Sequence, residues 1–227
     1  MTAARARATH AALVPVKRLA AGKSRLAATL GRDAAERLTR ALLADVLEAL
    51  GGVAPVGRVV VVTPDAEVAE AARAAGAEAL VRRDPGLNES LDAAAAELAG
   101  AGAASLLVVL GDVAAAEPGE LELLYEALNG LGGRGVVLAP SEDGGTSALL
   151  RAPHDVVPSR FGKESAAAHR EAARAAGVPL AELPLASLAV DLDTVEDAET
   201  LLERPGAPRT RALLRELGLG RRPGALP

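Results

Sequence analysis

The sequence predicts an α/β fold, a three-layer sandwich built around a mainly parallel sheet. Short aliphatic and β-branched runs alternate with segments in which apolar residues recur at helical spacing. This alternation is typical of parallel sheets whose crossovers are helices. Half of the 227 residues are apolar and only 1% are aromatic. The core is therefore expected to be aliphatic, and a nucleobase would find almost nothing to stack on.

The N-terminal half contains the clearest of these elements. Strands are predicted at residues 11–16, 58–63, 79–81 and 105–110. A helix is predicted over residues 31–50, because Leu38, Leu42, Val46 and Leu50 recur at four-residue spacing. Further helices are predicted at 66–75, from an Asn88 cap to about residue 99, and from Pro118 onward.

The C-terminal half continues the pattern and then changes composition. Strands are predicted at 135–139 and 180–184, and helices at 163–176 and from a Thr194 cap to about residue 202. From residue 204 onward the chain is rich in Pro, Gly and Arg. We therefore predict one domain at 1–205 and a tail at 206–227 that holds a short helix at 210–217.

Charge and composition exclude several function classes. The formal net charge is −5, which argues against nucleic-acid binding. The sequence contains no cysteine, which excludes disulfides, thiolate catalysis and Cys-type zinc sites. The longest apolar run, 106–110, is too short to span a membrane, and the N-terminal ten residues lack the apolar segment of a signal peptide. We expect a cytoplasmic protein that does not bind membranes.

A basic loop follows the first predicted strand. It contains Lys17, Arg18, Lys23 and Arg25 beside the small residue Gly22. Cations and close backbone approach suit a triphosphate, although a solvated basic loop is an equally good interpretation from composition alone. The spacing does not match a Walker loop.

Three aspartates form the candidate metal site. Asp112 follows a buried strand, and Asp191 and Asp193 point to the same face if their segment is extended. Neighbouring carboxylates repel unless a cation lies between them, and Mg²⁺ prefers such hard oxygen ligands. Helix capping or turn formation is the alternative role for each aspartate, but together they favour a Mg²⁺ site.

Two further segments suit an anion. Thr146 follows a Gly-Gly loop, and Gly162 and Ser165 stand at a predicted helix N-terminus. An ordinary hairpin turn and plain N-capping are the alternatives. His169 lies one turn beyond Ser165, where it could face the site, but we interpret it as a surface or packing residue.

Taken in order, these segments resemble one family from about residue 11 to residue 202: the guanylyltransferases of deazaflavin coenzyme F-420 biosynthesis. The matching segments are PVKRLAAGKSRL at 15–26, PGLNESLDAA at 85–94, LGD at 110–112, PSEDGGTSALL at 140–150, FGKESAAAH at 161–169 and VDLDTVED at 190–197. The GD and D-x-D pieces are generic to GT-A-like nucleotidyltransferases, whereas the combination of the longer segments is more specific.

The resemblance implies a GT-A-like nucleotidyltransferase fold that transfers GMP from GTP to phosphoenolpyruvate or 2-phospho-L-lactate. An Ala- and Arg-rich composition, typical of GC-rich bacterial genomes, favours phosphoenolpyruvate. The implied catalytic residues are Lys17, Lys23 and Asp112. The implied ligand contacts are Asp112, Asp191 and Asp193 to Mg²⁺; Thr146, Gly162 and Ser165 to the acceptor; Lys17, Lys23 and Arg25 to the GTP phosphates; and Asn88 to the nucleoside.

The expected partners are therefore GTP and a small phosphorylated carboxylic acid, with a homodimer and a downstream transferase of the same pathway as further candidates. The chain departs from the family pattern at the stretch 113–116 after Asp112, at Ser147 in place of Asn, and at Ala166 in place of a frequent aromatic residue. A cytidylyl- or uridylyltransferase and an inactive nucleotide-binding regulator are the alternative functions.

Overall fold

The computed structural model of the chain describes residues 9–83, 85–113, 115–189 and 191–220. Its strands are β1 Thr9–Pro15, β2 Val56–Thr63, β3 Glu78–Val81, β4 Ala103–Val109, β5 Gly135–Pro140, β6 Thr146–Ala152 and β7 Leu180–Glu182. Its α-helices are α1 Ser24–Leu30, α2 Arg32–Gly51, α3 Ala66–Ala74, α4 Leu87–Gly100, α5 Pro118–Gly130, α6 Ser165–Ala176, α7 Val195–Glu203 and α8 Pro208–Glu216.

The described strands form one seven-stranded sheet in the order β3-β2-β1-β4-β6-β5-β7. Four pairings are parallel, and β6 runs antiparallel to both β4 and β5. The predicted mainly parallel sheet is therefore confirmed. Because β6 is reversed and pairs Ala148 with Val109 of β4, the start of β6 lies beside the end of β4. The residues that follow β4 and those that begin β6 thus lie close together, although α5 and β5 separate them along the chain.

Two aliphatic layers cover the sheet, one on each face. Successive side chains of a strand point to opposite faces, so Val14 of β1 packs in the cluster with α2 and α5 while Leu13 packs in the cluster with α4 and α6. Full burial of such a side chain stabilises a fold by about 1.5–3 kcal/mol. The three-layer sandwich is therefore confirmed, and its core is aliphatic as predicted.

The helix predicted at 210–217 is present as α8, which packs against α2. Its first turn is bound by Asp45 of α2, whose Oδ2 accepts hydrogen bonds from the Thr210 N–H at 2.9 Å and the Thr210 hydroxyl at 2.8 Å. Leu214 and Leu38 lie in the same buried cluster. The division into a domain at 1–205 and a tail stays a prediction.

Some predicted elements differ in detail. Asn88 is not an N-cap, because α4 already begins at Leu87 and Gly86 occupies the cap position. The second half of the basic loop is helical, since α1 begins at Ser24. No helix within the described ranges combines the length and the apolar character that crossing a membrane requires.

Some predictions fall on residues outside the described part of the chain. These residues are 1–8, Ala114, Val190 and 221–227, together with Asp84. They bear on the predictions for the N-terminus, the Ala-rich stretch, the acidic motif and the tail.

Candidate active site

A cleft of about 540 Å³ opens at the carboxyl edge of β1, β2 and β4. This is where ligands bind in open α/β sheets. Every predicted site residue except Asn88 lines it: Lys17, Lys23, Arg25, Asp112, Thr146, Gly162, Ser165, Asp191 and Asp193. Arg82 and Arg83 at the end of β3 also line the cleft, and the sequence interpretation missed them.

Backbone pairing brings the two acidic segments together. Val113, directly after Asp112, forms an isolated antiparallel bridge with Asp191. The Leu192 N–H also donates to the Asp112 carbonyl at 3.2 Å. These contacts place the carboxylates of one acidic segment beside those of the other, although some 80 residues separate them along the chain.

Gly111 permits the end of β4 to approach the end of β1. A Cβ atom at this position would lie 3.0 Å from the Pro15 carbonyl oxygen and 3.1 Å from Val16 Cγ2. These distances are shorter than most Cβ contacts in proteins, so a side chain here would have to displace the neighbouring atoms. The glycine therefore places Asp112 against the loop that carries Lys17 and Lys23.

Asp191 is held in an unfavourable electrostatic environment. Burial, and after it the nearby Asp112 and Asp193 carboxylates, raise the pKa of Asp191 to about 7, against the opposing effect of Lys23. Its Oδ1 atom is buried and has no hydrogen-bond partner within the described chain. A buried carboxylate oxygen without a donor is the position at which a cation would be stabilising.

Lys23 supplies the cation that is present. Its Nζ lies 3.0 Å from Asp193 Oδ1 and 3.7 Å from Asp112 Oδ2, and its side chain is only 6% exposed. The residue adopts a left-handed conformation, φ 51°, at the cap of α1, which is uncommon for a residue other than glycine. The chain is thus bent so that this ammonium group lies between two carboxylates.

The carboxylates are chemically suited to Mg²⁺, although they do not enclose an ion by themselves. Among the described residues, no three acidic or histidine side chains converge closely enough to hold a metal ion alone. Mg²⁺ does not need such a cage, because it commonly takes one or two carboxylates and completes its shell with water and substrate phosphates. The unpartnered Asp191 Oδ1 beside Asp112 fits that mode of binding.

A second group of polar residues lies at the start of β6. Thr146, Ser165 and His169 are all buried. The Ser165 hydroxyl donates to Thr146 Oγ1 at 3.0 Å, and His169 Nδ1 lies 3.1 Å from the same oxygen. The Ala166 N–H donates to the Gly144 carbonyl at 3.2 Å and so fixes the N-terminus of α6 against the hairpin turn.

The hairpin interpretation of the Gly-Gly loop is confirmed. The Ser141 N–H donates to the Gly145 carbonyl, closing the turn between β5 and β6 at 3.2 Å. Ser141, Asp143 and Gly145 nevertheless line the cleft. Capping of α7 by Thr194 is also confirmed, through a capping box with Asp197.

Asn88 orders the wall of the cleft. Its Nδ2 donates to the Phe161 carbonyl at 3.0 Å, and its Oδ1 accepts from the Phe161 N–H at 2.7 Å. Asp92, one turn further along α4, accepts from the Ser159 N–H and hydroxyl. The nucleoside contact of Asn88 stays a prediction, while the structure assigns it a supporting role for the segment before Gly162.

The positions that depart from the family pattern are well packed. Val113 and Ala115 are buried in the stretch after Asp112, and Ser147 and Ala166 are buried as well. The Ser147 hydroxyl has no hydrogen-bond partner among the described residues.

His169 differs in part from its sequence interpretation as a surface or packing residue. The side chain is buried, so the packing role is confirmed and the surface position is wrong. Its contact with Thr146 also makes it part of the wall behind the site.

Comparison with known proteins identifies relatives over nearly the whole chain. The family described as "Guanylyl transferase CofC like" matches residues 10–225. A phosphoenolpyruvate guanylyltransferase from Sphaerobacter thermophilus is 43% identical over 85% of this chain and 92% of its own. A 3-phospho-D-glycerate guanylyltransferase from Phenylobacterium zucineum is 38% identical over 91% of this chain and 95% of its own.

Solved structures share the fold at lower sequence identity. A nucleotidyl transferase from Methanothermobacter thermautotrophicus superimposes with a TM-score of 0.63 at 21% identity, over 92% of this chain and 99% of that one. The CMP:2-keto-3-deoxy-manno-octonic acid synthetase, solved with CTP, gives a TM-score of 0.61 at 15% identity over 92% and 99% of the two chains. The predicted nucleotidyltransferase fold is therefore confirmed.

Proposed function

Because this chain belongs to the guanylyl transferase CofC-like family, we propose that it transfers GMP from GTP to phosphoenolpyruvate. The products are enolpyruvoyl-diphospho-guanosine and pyrophosphate. The observation that carries this proposal is one cleft lined by two kinds of binding group. The basic loop and the three aspartates suit a metal-bound triphosphate. A cluster of hydroxyl and amide donors suits a small anion.

The donor end of the cleft has the charge that a triphosphate requires. The basic loop contributes Lys17, Lys23 and Arg25 to the cleft wall. Lys17 and Arg25 are exposed, so their ammonium and guanidinium groups are free to reach phosphate oxygens. Charge-assisted hydrogen bonds of this kind are about twice as strong as neutral ones.

The acceptor end has polar donors suited to a phosphate or a carboxylate. Thr146 and Ser165 contribute hydroxyl groups, and Gly162, with φ 137°, exposes its backbone beside the N-terminus of α6. The Ser165 and Ala166 N–H groups already donate to backbone carbonyls, so α6 would favour an anion through the positive end of its dipole. Both the phosphate and the carboxylate of phosphoenolpyruvate have the required charge.

The proposed step is an in-line displacement. An acceptor phosphate oxygen forms a bond to the α-phosphorus of GTP, the bond from this phosphorus to the β-phosphate oxygen breaks, and pyrophosphate leaves with that electron pair. A phosphate monoester is largely dianionic at neutral pH, its second pKa being about 6. No protein base is therefore needed, and none of the three histidines lines the described cleft.

The protein then has to align the acceptor phosphate with the α-phosphorus of GTP and to neutralise the charge of the triphosphate. Asp112, Asp191 and Asp193 would hold Mg²⁺, which supplies Lewis-acid stabilisation of the triphosphate when bound. Lys23 now contacts Asp112 and Asp193. With another cation on these carboxylates, its ammonium group would be available to neutralise charge on the leaving pyrophosphate.

A second acceptor, 3-phospho-D-glycerate, is favoured by the name of the Phenylobacterium zucineum relative. It has the same phosphate and carboxylate groups but is longer and carries a hydroxyl. Our first choice stays phosphoenolpyruvate, since that name belongs to the relative with 43% identity.

The cellular setting is part of the same proposal. We place the reaction in the cytoplasm, in the biosynthesis of coenzyme F-420. The activated diphosphate product would pass to a downstream transferase that displaces GMP. Homodimer formation is the proposed assembly.

Product analysis tests the proposal directly. The full chain is incubated with GTP, Mg²⁺ and, separately, phosphoenolpyruvate, 2-phospho-L-lactate or 3-phospho-D-glycerate, and products are identified by mass spectrometry beside a pyrophosphate assay. We expect the phosphoenolpyruvate adduct, its loss with EDTA, and its recovery with added Mg²⁺.

Three other results would contradict parts of the proposal. Turnover with CTP or UTP in place of GTP would assign another donor, and turnover undiminished by EDTA would remove the metal. Binding of GTP without pyrophosphate release for any acceptor would indicate a nucleotide-binding regulator.

A further inference from the structure

His169 lies directly behind the acceptor end of the cleft. It is fully buried on α6, one turn after Ser165, and its ring contacts the edge of Phe161 at a centroid distance of 5.1 Å. Both ring nitrogens have partners. The Arg160 N–H donates to Nε2 at 2.9 Å, and Nδ1 lies 3.1 Å from Thr146 Oγ1.

The Arg160 amide fixes the tautomer of this imidazole. A nitrogen that accepts a hydrogen bond from a backbone N–H cannot itself carry a proton, so the proton of the neutral ring resides on Nδ1. Nδ1–H therefore donates to Thr146 Oγ1, with the Ser165 backbone as a second hydrogen-bonding group beside the ring. The direction of this hydrogen bond follows from the backbone of the segment before Phe161.

This donation leaves one hydroxyl hydrogen available to a ligand. Thr146 Oγ1 accepts from His169 and is also bonded to Ser165 Oγ at 3.0 Å. If Ser165 donates to Thr146, the Thr146 hydrogen points away from both partners. If Thr146 donates to Ser165, the Ser165 hydrogen is the one left over. Both residues line the cleft, so either arrangement offers an O–H donor to an anion.

We propose that His169 is a positioning residue for acceptor binding, which orients the Thr146 and Ser165 hydroxyl pair as a hydrogen-bond donor toward the phosphate or carboxylate of the acceptor. This inference rests on the proposed function and adds the residue that sets the polarity of the acceptor site. Without the Nδ1–H donor, the hydroxyl hydrogen that is left over from the Thr146–Ser165 bond is no longer excluded from the His169 side of Thr146 Oγ1, and it can turn away from an anion in the cleft.

The surroundings keep the ring neutral. Arg151 on β6 and Arg160 face it as positive groups, and Asp92 on α4 is the negative one. Burial, followed by the charge of Arg151, lowers the pKa of His169 to about 4. The direction of the Nδ1 hydrogen bond is therefore constant across the pH range in which the enzyme would work.

Two substitutions separate the two hydrogen bonds of the ring. The amide nitrogen of Asn overlays Nδ1 of His, so His169→Asn retains a donor to Thr146 and loses the acceptor for Arg160. The amide of Gln overlays Nε2, so His169→Gln retains the acceptor and loses the donor. Each variant loses one buried contact, which makes them matched controls for stability, measured as melting temperature.

We expect His169→Gln to raise the KM for phosphoenolpyruvate about tenfold, the effect of one hydrogen bond of average strength. The KM for GTP should change less than about twofold. His169→Asn should stay within about threefold of the native KM for the acceptor. The opposite order, with Asn impaired and Gln near native, would mean that His169 serves only to hold the Arg160 backbone, and it would overturn the proposal.

A double-mutant cycle supplies the second measurement. If His169 acts through the Thr146 hydroxyl, Thr146→Val and Thr146→Val/His169→Gln should have the same acceptor KM within about twofold. If the increases in acceptor KM caused by Thr146→Val and His169→Gln multiply in the double variant, the two residues act independently and the proposal is refuted.

The activity of the native chain distinguishes failure of the proposed function from failure of the positioning role of His169. Failure of the native chain to transfer GMP to any phosphorylated carboxylic acid refutes the proposed function together with this inference. Native transfer with variants that leave the acceptor KM unchanged refutes the positioning role alone.

Discussion

The two ends of the cleft manage buried polar groups in opposite ways. At the donor end, Asp191 has a buried oxygen that lacks a partner among the described residues, and its pKa is raised to about 7 by burial and by the carboxylates around it. At the acceptor end, Thr146, Ser165 and His169 bond to one another. A bound cation would stabilise the unpartnered oxygen at the first end, whereas the second end has its oxygens bonded within the protein and keeps one hydroxyl hydrogen for a ligand.

The difference fits the ligands that we propose for the two ends. A divalent cation needs negative oxygens that no protein donor neutralises, and such a site opposes folding when it is empty. An anion needs donors of fixed direction, and a hydrogen-bonded network provides these while it stabilises the fold. Substitutions at the two ends should therefore affect stability with opposite sign.

The largest effect is expected for Asp191→Asn. Removal of one carboxylate from the proposed metal site should lower kcat/KM by about 10²–10³, the usual loss for one preorganised electrostatic group. Stability should rise instead. The raised pKa means that the folded state resists ionisation of Asp191 between pH 3.8 and about 7, so the ionised group is destabilising above pH 7. The melting temperature should increase by roughly 2–4 °C for each kcal/mol of repulsion removed.

Asp193→Asn is the matched control for this variant. Asp193 is exposed and pairs with Lys23 at 3.0 Å, so its removal should reduce turnover with no gain in melting temperature. A lower melting temperature for Asp191→Asn, measured by calorimetry at about pH 8, would contradict the view that this end of the cleft opposes folding.

A pH dependence of intermediate size should appear at the other end. The pKa of His169 is about 4 in the folded protein, against 6.5 for a histidine in an unfolded chain. The unfolded chain therefore binds a proton that the folded chain refuses between these values, and stability falls as pH drops from 6.5 to 4. The loss is on the order of 3 kcal/mol.

Other groups also titrate, so the native chain must be compared with His169→Asn. Burial lowers the pKa of His10 and gives a trend of the same sign, while Asp191 gives the opposite one. His10 and Asp191 are present in both the native chain and the variant, so their contributions to the pH dependence of stability cancel in the difference. Urea unfolding at about pH 7 and about pH 4 should show that the native advantage over His169→Asn shrinks at the lower pH. An advantage that is constant with pH would show that the ring is not held neutral.

The smallest effect is expected for Lys23→Met. The variant removes the ammonium that now lies between Asp112 and Asp193. Mn²⁺, used as a probe, should therefore bind the nucleotide-free protein a few-fold more tightly. The affinity is measured by electron paramagnetic resonance titration. Lys17→Met is the control, because Lys17 is exposed in the same loop. Equal Mn²⁺ affinity of Lys23→Met and the native chain would argue against Lys23 as the competing cation.

Much of the architecture could be predicted from local pattern. Strand β4 and helix α2 follow from the sequence because aliphatic periodicity depends only on neighbouring residues. The hairpin alternative makes β6 antiparallel to β5, but the pairing of β6 with β4 does not follow from a local pattern, because these two strands are far apart in the chain. Asn88 also looks like a helix cap in the sequence, and only the packing of α4 against the Phe161 segment shows its actual partners.

The site residues divide in the same way. Sequence alone determined which groups are candidates for the chemistry, because charge and hydrogen-bonding capacity belong to the residue itself. These candidates are the basic loop, the three aspartates and the Thr146, Gly162 and Ser165 set. Tertiary structure decided how those groups meet. The bridge between Val113 and Asp191 joins the acidic segments, and burial raises the pKa of Asp191. The Arg160 amide fixes the tautomer of His169. Distance, burial and hydrogen-bond direction are properties of neighbours in space, and a linear pattern does not contain them.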